Sequence, residues 1–254
     1  MKAPKVSAIV PNLNMGRFIG QALESMLKQT LPVDEVIVVD NGSTDDSLNV
    51  IESFEGRFKD LKILSHEVKN PASVRNVGIQ ASRGDVLAFL DADDLWHPEK
   101  IAIQRQRLLA FPDRAAVGSH ITFFQEQKPP EPRPAEGSPM SHSAAPCLAS
   151  LLVRKSVFDE IGLLNDELFY GEDWDLYFRL RDHGTPFVIQ KWASVFARKH
   201  DNSMTSTADP RSREDVSRAI MKSILRRRKL GLEGSGSRDF SDFEEDLNAD
   251  VTPT

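Results

Sequence analysis

Asp85-Val86-Leu87-Ala88-Phe89-Leu90-Asp91-Ala92-Asp93-Asp94 is the stretch from which the rest of the chain is read. Val86–Leu90 has the length and apolar composition of a strand buried on both faces. It runs straight into three carboxylates. In open α/β sheets, ligands sit at the carboxyl ends of strands. Carboxylates there can hold a hard divalent cation whose other ligands are phosphates. Asp91 and Asp93 are two residues apart, so an extended backbone points both side chains the same way. Helix capping is the competing reading. It accounts for Asp94, with Pro98 just inside the following helix, but needs neither Asp91 nor Asp93.

The segments before this stretch repeat its logic. Val6–Val10 and Glu35–Asp40 read as buried strands, and Leu61–His66 as a third. Ile19, Ala22, Leu23, Met26 and Leu27 recur at helical spacing between the first two. Thr44–Phe58 and Pro71–Ala81 read as two further helices. This βαβαβαβ order predicts a parallel sheet with right-handed crossovers. Beyond it, Pro98–Ala110 reads as a helix and Ala115–Gln125 as a strand. Gln127–Pro146 is a long proline-rich loop. Leu148–Arg154 returns to strand character, Glu172–Asp182 is a helix ended by Gly184, and Phe187–Arg198 is one or two strands. Ser212–Lys229 is a basic amphipathic helix.

Composition narrows the class. The chain has 254 residues, 40% apolar and 28% charged, as in a soluble globular protein. Its one cysteine, Cys147, excludes an intrachain disulfide, and no apolar run approaches the roughly 20 residues of a membrane span. The N-terminus lacks a signal peptide's apolar core, and these features together predict a cytoplasmic protein. Net charge is −6, concentrated after Gly231 in Glu233, Asp239, Asp242, Glu244, Glu245, Asp246 and Asp250 against Arg238 alone. That segment, 231–254, is expected to be a disordered acidic tail. The remaining body is near neutral and carries no basic surface for nucleic acid.

Three strand ends carry polar clusters: Pro11-Asn12-Leu13-Asn14, Asp40-Asn41-Gly42-Ser43-Thr44-Asp45 and the aspartate group. In a parallel sheet these ends share one edge and describe one nucleotide site. No G-x-G-x-x-G follows the first strand and no G-x-x-x-x-G-K-[ST] occurs, so dinucleotide and P-loop sites are disfavoured. An aspartyl-nucleophile phosphatase would carry its Asp pair after the first strand, and this pair follows the fourth. A nucleotidyltransferase would carry a Gly-rich basic loop where Pro11–Asn14 stands.

Val6-Ser7-Ala8-Ile9-Val10-Pro11-Asn12-Leu13-Asn14, Val38-Val39-Asp40-Asn41-Gly42-Ser43-Thr44-Asp45, Arg75-Asn76-Val77-Gly78 and Asp91-Ala92-Asp93-Asp94 resemble the family 2 glycosyltransferases of GT-A fold. Gly171-Glu172-Asp173-Trp174-Asp175 resembles that family's later Glu-Asp motif. The likeness runs over about residues 5 to 203. It implies an α/β, Rossmann-like GT-A fold: a mostly parallel central sheet flanked by helices, with a smaller acceptor-side region. Residues 1–97 would form the nucleotide-sugar half and 98–210 the acceptor half, including the proline-rich loop 127–146. The basic helix 211–230 and the tail would follow.

The resemblance further implies metal-dependent, inverting transfer from a nucleotide-diphosphate sugar to a hydroxyl acceptor in polysaccharide, lipopolysaccharide or glycoconjugate assembly. Pro11, Asn12, Asn14, Asp40 and Asn41 would line the base and ribose pocket, and Arg75 would contact base or phosphate. Asp91, with Ala92 beside it, would hold the ribose. Asp93 would bind Mn²⁺ or Mg²⁺, joined by His200. Asp173 would be the general base, with Glu172 positioning acceptor or base. Relatives often carry Asp where Asn41 stands. An asparagine amide both accepts and donates, which favours UDP- or dTDP-sugars and leaves guanine open. The rival reading is a non-catalytic nucleotide-sugar binder on the same fold, for which a base has no use. Trp96 and Trp174 read as core residues, and the basic helix as a closing helix, with docking on an anionic membrane bearing lipid-linked acceptors as its alternative.

Overall fold

The computed structural model describes residues 3–68, 70–125, 140–143 (backbone only), 147–201, 203, 209–232 and 240–246. The strands are β1 (Val6–Asn12), β2 (Glu35–Asp40), β3 (Leu61–Ser65), β4 (Val86–Phe89), β5 (Leu95–Trp96), β6 (Ala116–Phe124), β7 (Met140–Ser143), β8 (Leu152–Arg154), β9 (Phe187–Arg198) and β10 (Glu244–Glu245). The helices are α1 (Ile19–Leu27), α2 (Ser47–Glu52), α3 (Pro71–Ala81), α4 (Lys100–Ala110), α5 (Ser156–Ile161), α6 (Glu172–Asp182) and α7 (Pro210–Lys229).

Along the sheet the strands run β10-β9-β6-β8-β4-β1-β2-β3, with β5 beside β9 and β7 beside β6. β1 pairs in parallel with β2 and β4, and β2 with β3. β8 is antiparallel to both β4 and β6, and β6 is parallel to β9. β1, β2, β3, β4, β6 and β9 therefore all point the same way, and their carboxyl ends share one edge. The mixed α/β architecture with a mostly parallel central sheet is the one the strand-helix alternation predicts.

Strand alternation divides the core. Val6, Ala8 and Val10 pack with Ile19, Leu23 and Met26 of α1, whereas Ile9, Leu87 and Phe89 face Ala72 and Ile79 of α3 and Leu176 and Phe178 of α6. Local chemistry sets the helix ends. Pro71 opens α3, and the Asn70 side chain accepts from the Ser73 N–H at 3.0 Å. α6 carries Glu172, Asp173 and Asp175 in its first turn and Arg179 and Arg181 in its last, complementing the helix dipole. α7 packs on α6, where Arg226 meets Asp182 at 3.2 Å. Among the described residues no helix is long and apolar enough to cross a membrane.

Several elements differ from the sequence expectation. α2 is shorter than Thr44–Phe58, because Asp45 is drawn back onto the Gly16 N–H (2.8 Å). Asp94 does not cap the next helix: α4 starts at Lys100, and Leu95–Trp96 instead pairs with β9. Leu148–Arg154 divides into a single 3₁₀ turn and the three-residue β8. Phe187–Arg198 is one strand with a bulge opposite His120. The proline-rich loop 127–146 lies outside the described residues except for the backbone of β7.

The expected disorder of the acidic tail does not hold for 240–246. Phe240 is buried among aromatic rings, and Glu245 is held by Arg107 and, at 3.0 Å, Arg114. Aromatic burial and paired acids remove the two reasons for disorder there. Residues 233–239 and 247–254 lie outside the described residues.

Candidate active site

The register Asn12↔Asp40 brings the first two polar clusters side by side at the carboxyl edge. Asp40 is buried and every oxygen is engaged. Oδ1 accepts from Asn12 Nδ2 (2.7 Å) and Ser43 Oγ (2.6 Å), and Oδ2 accepts from the N–H groups of Gly42 (3.1 Å) and Ser43 (2.9 Å). Asn14 adopts a left-handed φ of 53°, and its side chain accepts from the Thr44 N–H at 2.7 Å. Pro11 lies opposite Val39 on the neighbouring strand. Two amide oxygens of this cluster, Asn12 Oδ1 and Asn41 Oδ1, are buried with no hydrogen-bond partner among the described residues. Buried acceptors of that kind are destabilising unless something donates to them.

Beyond β4 the chain makes a tight turn, closed by the Asp94 N–H on the Asp91 carbonyl (3.0 Å), that carries Asp91, Ala92, Asp93 and Asp94. Arg75 reaches Asp91 from α3. Gly78, one turn further along that helix, lets α3 lie on β1, since a Cβ there would come within 2.5 Å of Ile9. The Arg75 guanidinium is 8% exposed and forks: one terminal nitrogen binds Asp91 Oδ1 (2.5 Å), the other Glu172 Oε1 (2.7 Å). Burial opposes its charge, but Asp91 and Glu172 hold it firmly protonated. Each terminal nitrogen carries a second N–H, so both ion pairs can persist beside a contact with base or phosphate.

Glu172 and Asp173 open α6. Gly171 precedes them with φ 75°, and a Cβ on it would lie 3.0 Å from Val216 of α7. Glycine is therefore required both by the turn and by the closeness of α7. Asp173 Oδ1 accepts the Trp174 N–H at 2.7 Å. Burial, and next the Glu172 charge, push its carboxyl up to about 7, while Arg75 pulls the other way. Glu172 is also raised by burial, against the opposing pull of Arg75. Asp94 is raised well above the usual range by burial and by the charges of Asp93 and Asp91.

The end of β9 closes the site. His200 Nε2 lies 2.9 Å from Asp93 Oδ2, and the ring packs against Phe18. Asp93 and His200 thus form a two-donor set of carboxylate oxygen and imidazole nitrogen. Among the described residues no group of three or more His, Cys, Asp or Glu is placed to hold a metal ion by itself. The sequence reading overlooks Arg198, which organises the turn. Its N–H binds Asp94 Oδ1 (2.9 Å), its Nε binds the Asp93 carbonyl (2.9 Å) and its Nη2 binds Gln21 Oε1 (2.7 Å). The signal available is an arginine two residues before His200. Ser43, which completes the Asp40 turn, is overlooked as well. Trp96 is fully buried, as a core residue should be, and Trp174 is half-buried.

The family model of glycosyl transferase family 2 matches residues 7–167. An uncharacterized glycosyltransferase of Rickettsia typhi is 26% identical over 259 residues, covering 95% of this chain and 79% of the relative. An uncharacterized glycosyltransferase of Nostoc sp. is 39% identical over 98 residues, covering 38% of this chain and 30% of the relative. Among solved structures, S. aureus TarS 1–349 in complex with UDP-GlcNAc matches with a TM-score of 0.70 at 22% identity, over 87% of this chain and 66% of that one. Mannosyltransferase PcManGT from Pyrobaculum calidifontis, in complex with GDP-Man and Mn²⁺, matches with a TM-score of 0.65 at 18% identity, over 89% of this chain and 65% of that one. This chain thus spans a little under two thirds of those two solved chains and under a third of the Nostoc relative. At those identities the two structures speak for the fold, which is GT-A. With a family match over more than half its length, the chain belongs to glycosyl transferase family 2.

Proposed function

We propose that the chain transfers a sugar from a nucleotide-diphosphate donor to an acceptor hydroxyl with inversion at the anomeric carbon. The observation that carries this reading is the Arg75 bridge. It ties Asp91, at the donor-side strand end, to Glu172, which adjoins Asp173, so donor edge and base belong to one site.

Asp40 holds the shape of the base pocket, with Pro11, Asn12 and Asn14 around it, and the unpartnered Asn41 Oδ1 accepts an imide N–H of the base. Uracil and thymine present an imide N3–H, and guanine presents a lactam N1–H that the same oxygen can accept. UDP- or dTDP-sugars remain favoured, and the two solved relatives bind UDP-GlcNAc and GDP-Man. Asp91 and Ala92 flank the ribose. Asp93 and His200 suit Mn²⁺ or Mg²⁺, because such a cation draws its remaining ligands from a diphosphate; when bound, it offsets charge on the departing diphosphate.

Asp173 takes the acceptor proton as the hydroxyl oxygen bonds to the anomeric carbon. The bond to the diphosphate breaks on the opposite face, and the diphosphate leaves with the electron pair. A carboxyl near 7 suits a base working at neutral pH. Glu172, fixed by Arg75, orients the acceptor. The acceptor is a hydroxyl of a glycan or lipid-linked glycan, in keeping with envelope polysaccharide or glycoconjugate assembly.

A melting panel of UDP, dTDP, GDP and CDP, each with Mn²⁺ and with EDTA, tests the reading. A ligand at about a hundred times its Kd adds roughly 2.7 kcal/mol. One nucleotide should raise Tm with Mn²⁺ and lose the effect in EDTA. No shift with any nucleotide would favour the non-catalytic reading instead.

A further inference from the structure

The acidic segment at the end of the chain has no part in the chemistry above, yet it is built into the fold. Glu244 and Glu245 add a parallel strand to β9 at Ile189 and Gln190. The Glu245 carboxylate lies between Arg114 (3.0 Å to both oxygens) and Arg107, a side chain only 3% exposed. The two guanidinium groups both rest on the Phe111 ring. Glu244 meets His120 at 3.1 Å and Phe243 stacks on Phe187 at 4.3 Å. This is strand addition with specific side-chain pockets, the arrangement by which sheet edges hold peptides.

Phe240 carries the latch to the site. It is 6% exposed, stacks on Phe178 at 5.8 Å and lies 6.3 Å from the Trp174 ring. Trp174 also contacts Phe178 at 5.9 Å, and its backbone N–H is the donor to Asp173. The contacts thus run from the sheet edge through Phe240 and Trp174 to Asp173.

We propose that Phe240 is a positioning residue: latched at the sheet edge by Glu245, the segment Phe240–Asp246 seats Phe240 against Trp174 and so holds the first turn of α6, with Asp173, in its half-buried place. This rests on Asp173 being the base. The titratable groups that face Asp173 are Glu172 and Tyr177 on its own helix, Arg75 on α3, Asp91 after β4 and Cys147 ahead of β8, and none of these belongs to the strap. Loosening the strap leaves those charges in place and exposes the half-buried Asp173 further to water. Burial is the largest cause of its raised proton affinity, so its titration should move toward the ordinary carboxylate range.

The test measures kcat between pH 5 and 9 at saturating donor, together with donor KM, for the full chain and for Phe240→Ala, Phe240→Leu and Glu245→Gln. Phe240→Ala should lower kcat about tenfold, on the order expected for a misplaced catalytic group. Donor KM should stay within about twofold, and the acid limb should move down by about one pH unit. Phe240→Leu should restore most of both. A fall in kcat that is equal at every pH, with an unmoved limb, overturns the proposal, as does unchanged kcat. If Phe240→Ala does not fold, Glu245→Gln decides, with the same direction of limb shift expected and an unmoved limb refuting it. Asp173→Asn separates the two readings. If it transfers as well as the native chain, the base assignment fails; if it loses about a hundredfold while the strap variants keep the native profile, only the strap fails.

Discussion

Arg75→Met isolates the central electrostatic claim. Methionine keeps much of the aliphatic stem and removes the guanidinium that binds the 35% exposed Asp91 at 2.5 Å and the 11% exposed Glu172, the buried partner, at 2.7 Å. Removing one partner of a buried ion pair typically destabilises by about 3–5 kcal/mol, because the remaining charge stays buried without compensation. For a domain of this size one kcal/mol moves Tm by roughly 2–4 °C. A fall of roughly 6–20 °C near pH 8 is therefore expected.

The pH dependence carries the sharper test. Arg75 pulls the carboxyls of both Glu172 and Asp173 down, against burial. Without it both titrate higher in the folded chain, further above their unfolded values. A carboxyl whose folded pKa is raised destabilises the fold once ionised, and that loss is relieved as pH drops below the folded value. The Tm deficit of Arg75→Met should therefore shrink between pH 8 and pH 5. Scanning fluorimetry of both proteins across that range measures it. A deficit that grows on acidification, or one below about 2 °C at pH 8, would refute the charge argument. Arg75→Lys should fall between the two, since an ammonium keeps the charge but loses the fork.

Asp93→Ala should abolish the Mn²⁺-dependent part of the nucleotide melting shift; a shift equal to the native one, with and without metal, would remove Asp93 from that role. Glu35 lies far from the site and is held down to about 2 from 4.5: burial opposes ionisation, but Lys62, Ser7 and the Arg83 N–H more than offset it. Its stabilisation is present above pH 4.5 and lost as pH falls toward 2, so the Tm gap between the native chain and Glu35→Gln should be full at pH 7 and close across that window. A gap that persists at pH 2 would show that packing, not charge, sets it.

The local half of the structure was legible in the sequence. α3 and α6 lie where periodicity and end signals place them, because Pro71 and Gly184 punctuate helices whose faces already alternate. The three polar strand ends do meet at one edge, because parallel topology leaves them nowhere else. What the sequence hid depends on partners far away in the chain. Asp94 looks like a cap in isolation, and only the Arg198 N–H, 104 residues on, makes it a turn anchor. Glu245 looks like part of a solvated acidic run until Arg107 and Arg114 are placed against it. Phe240 and Phe243 were the available warning, since aromatic residues are uncommon in segments that stay unfolded.

The same long-range pairing explains how neighbouring acids come to differ. Asp91, Glu172 and Asp173 share one site, and a single guanidinium has two terminal nitrogens for them. Arg75 gives one to Asp91 and one to Glu172, so each of those carboxylates has a guanidinium partner. Asp173 receives a neutral N–H from Trp174 and faces the Glu172 charge from the next residue. Burial first and the Glu172 charge second raise its proton affinity to about 7, against the pull of the Trp174 N–H. Environments that push adjacent carboxyls apart are how a site assigns acid and base roles to identical groups. In the proposed function Asp173 rather than Glu172 takes the acceptor proton, because the arginine's hydrogen bonds end on Asp91 and Glu172 and leave Asp173 without a guanidinium partner.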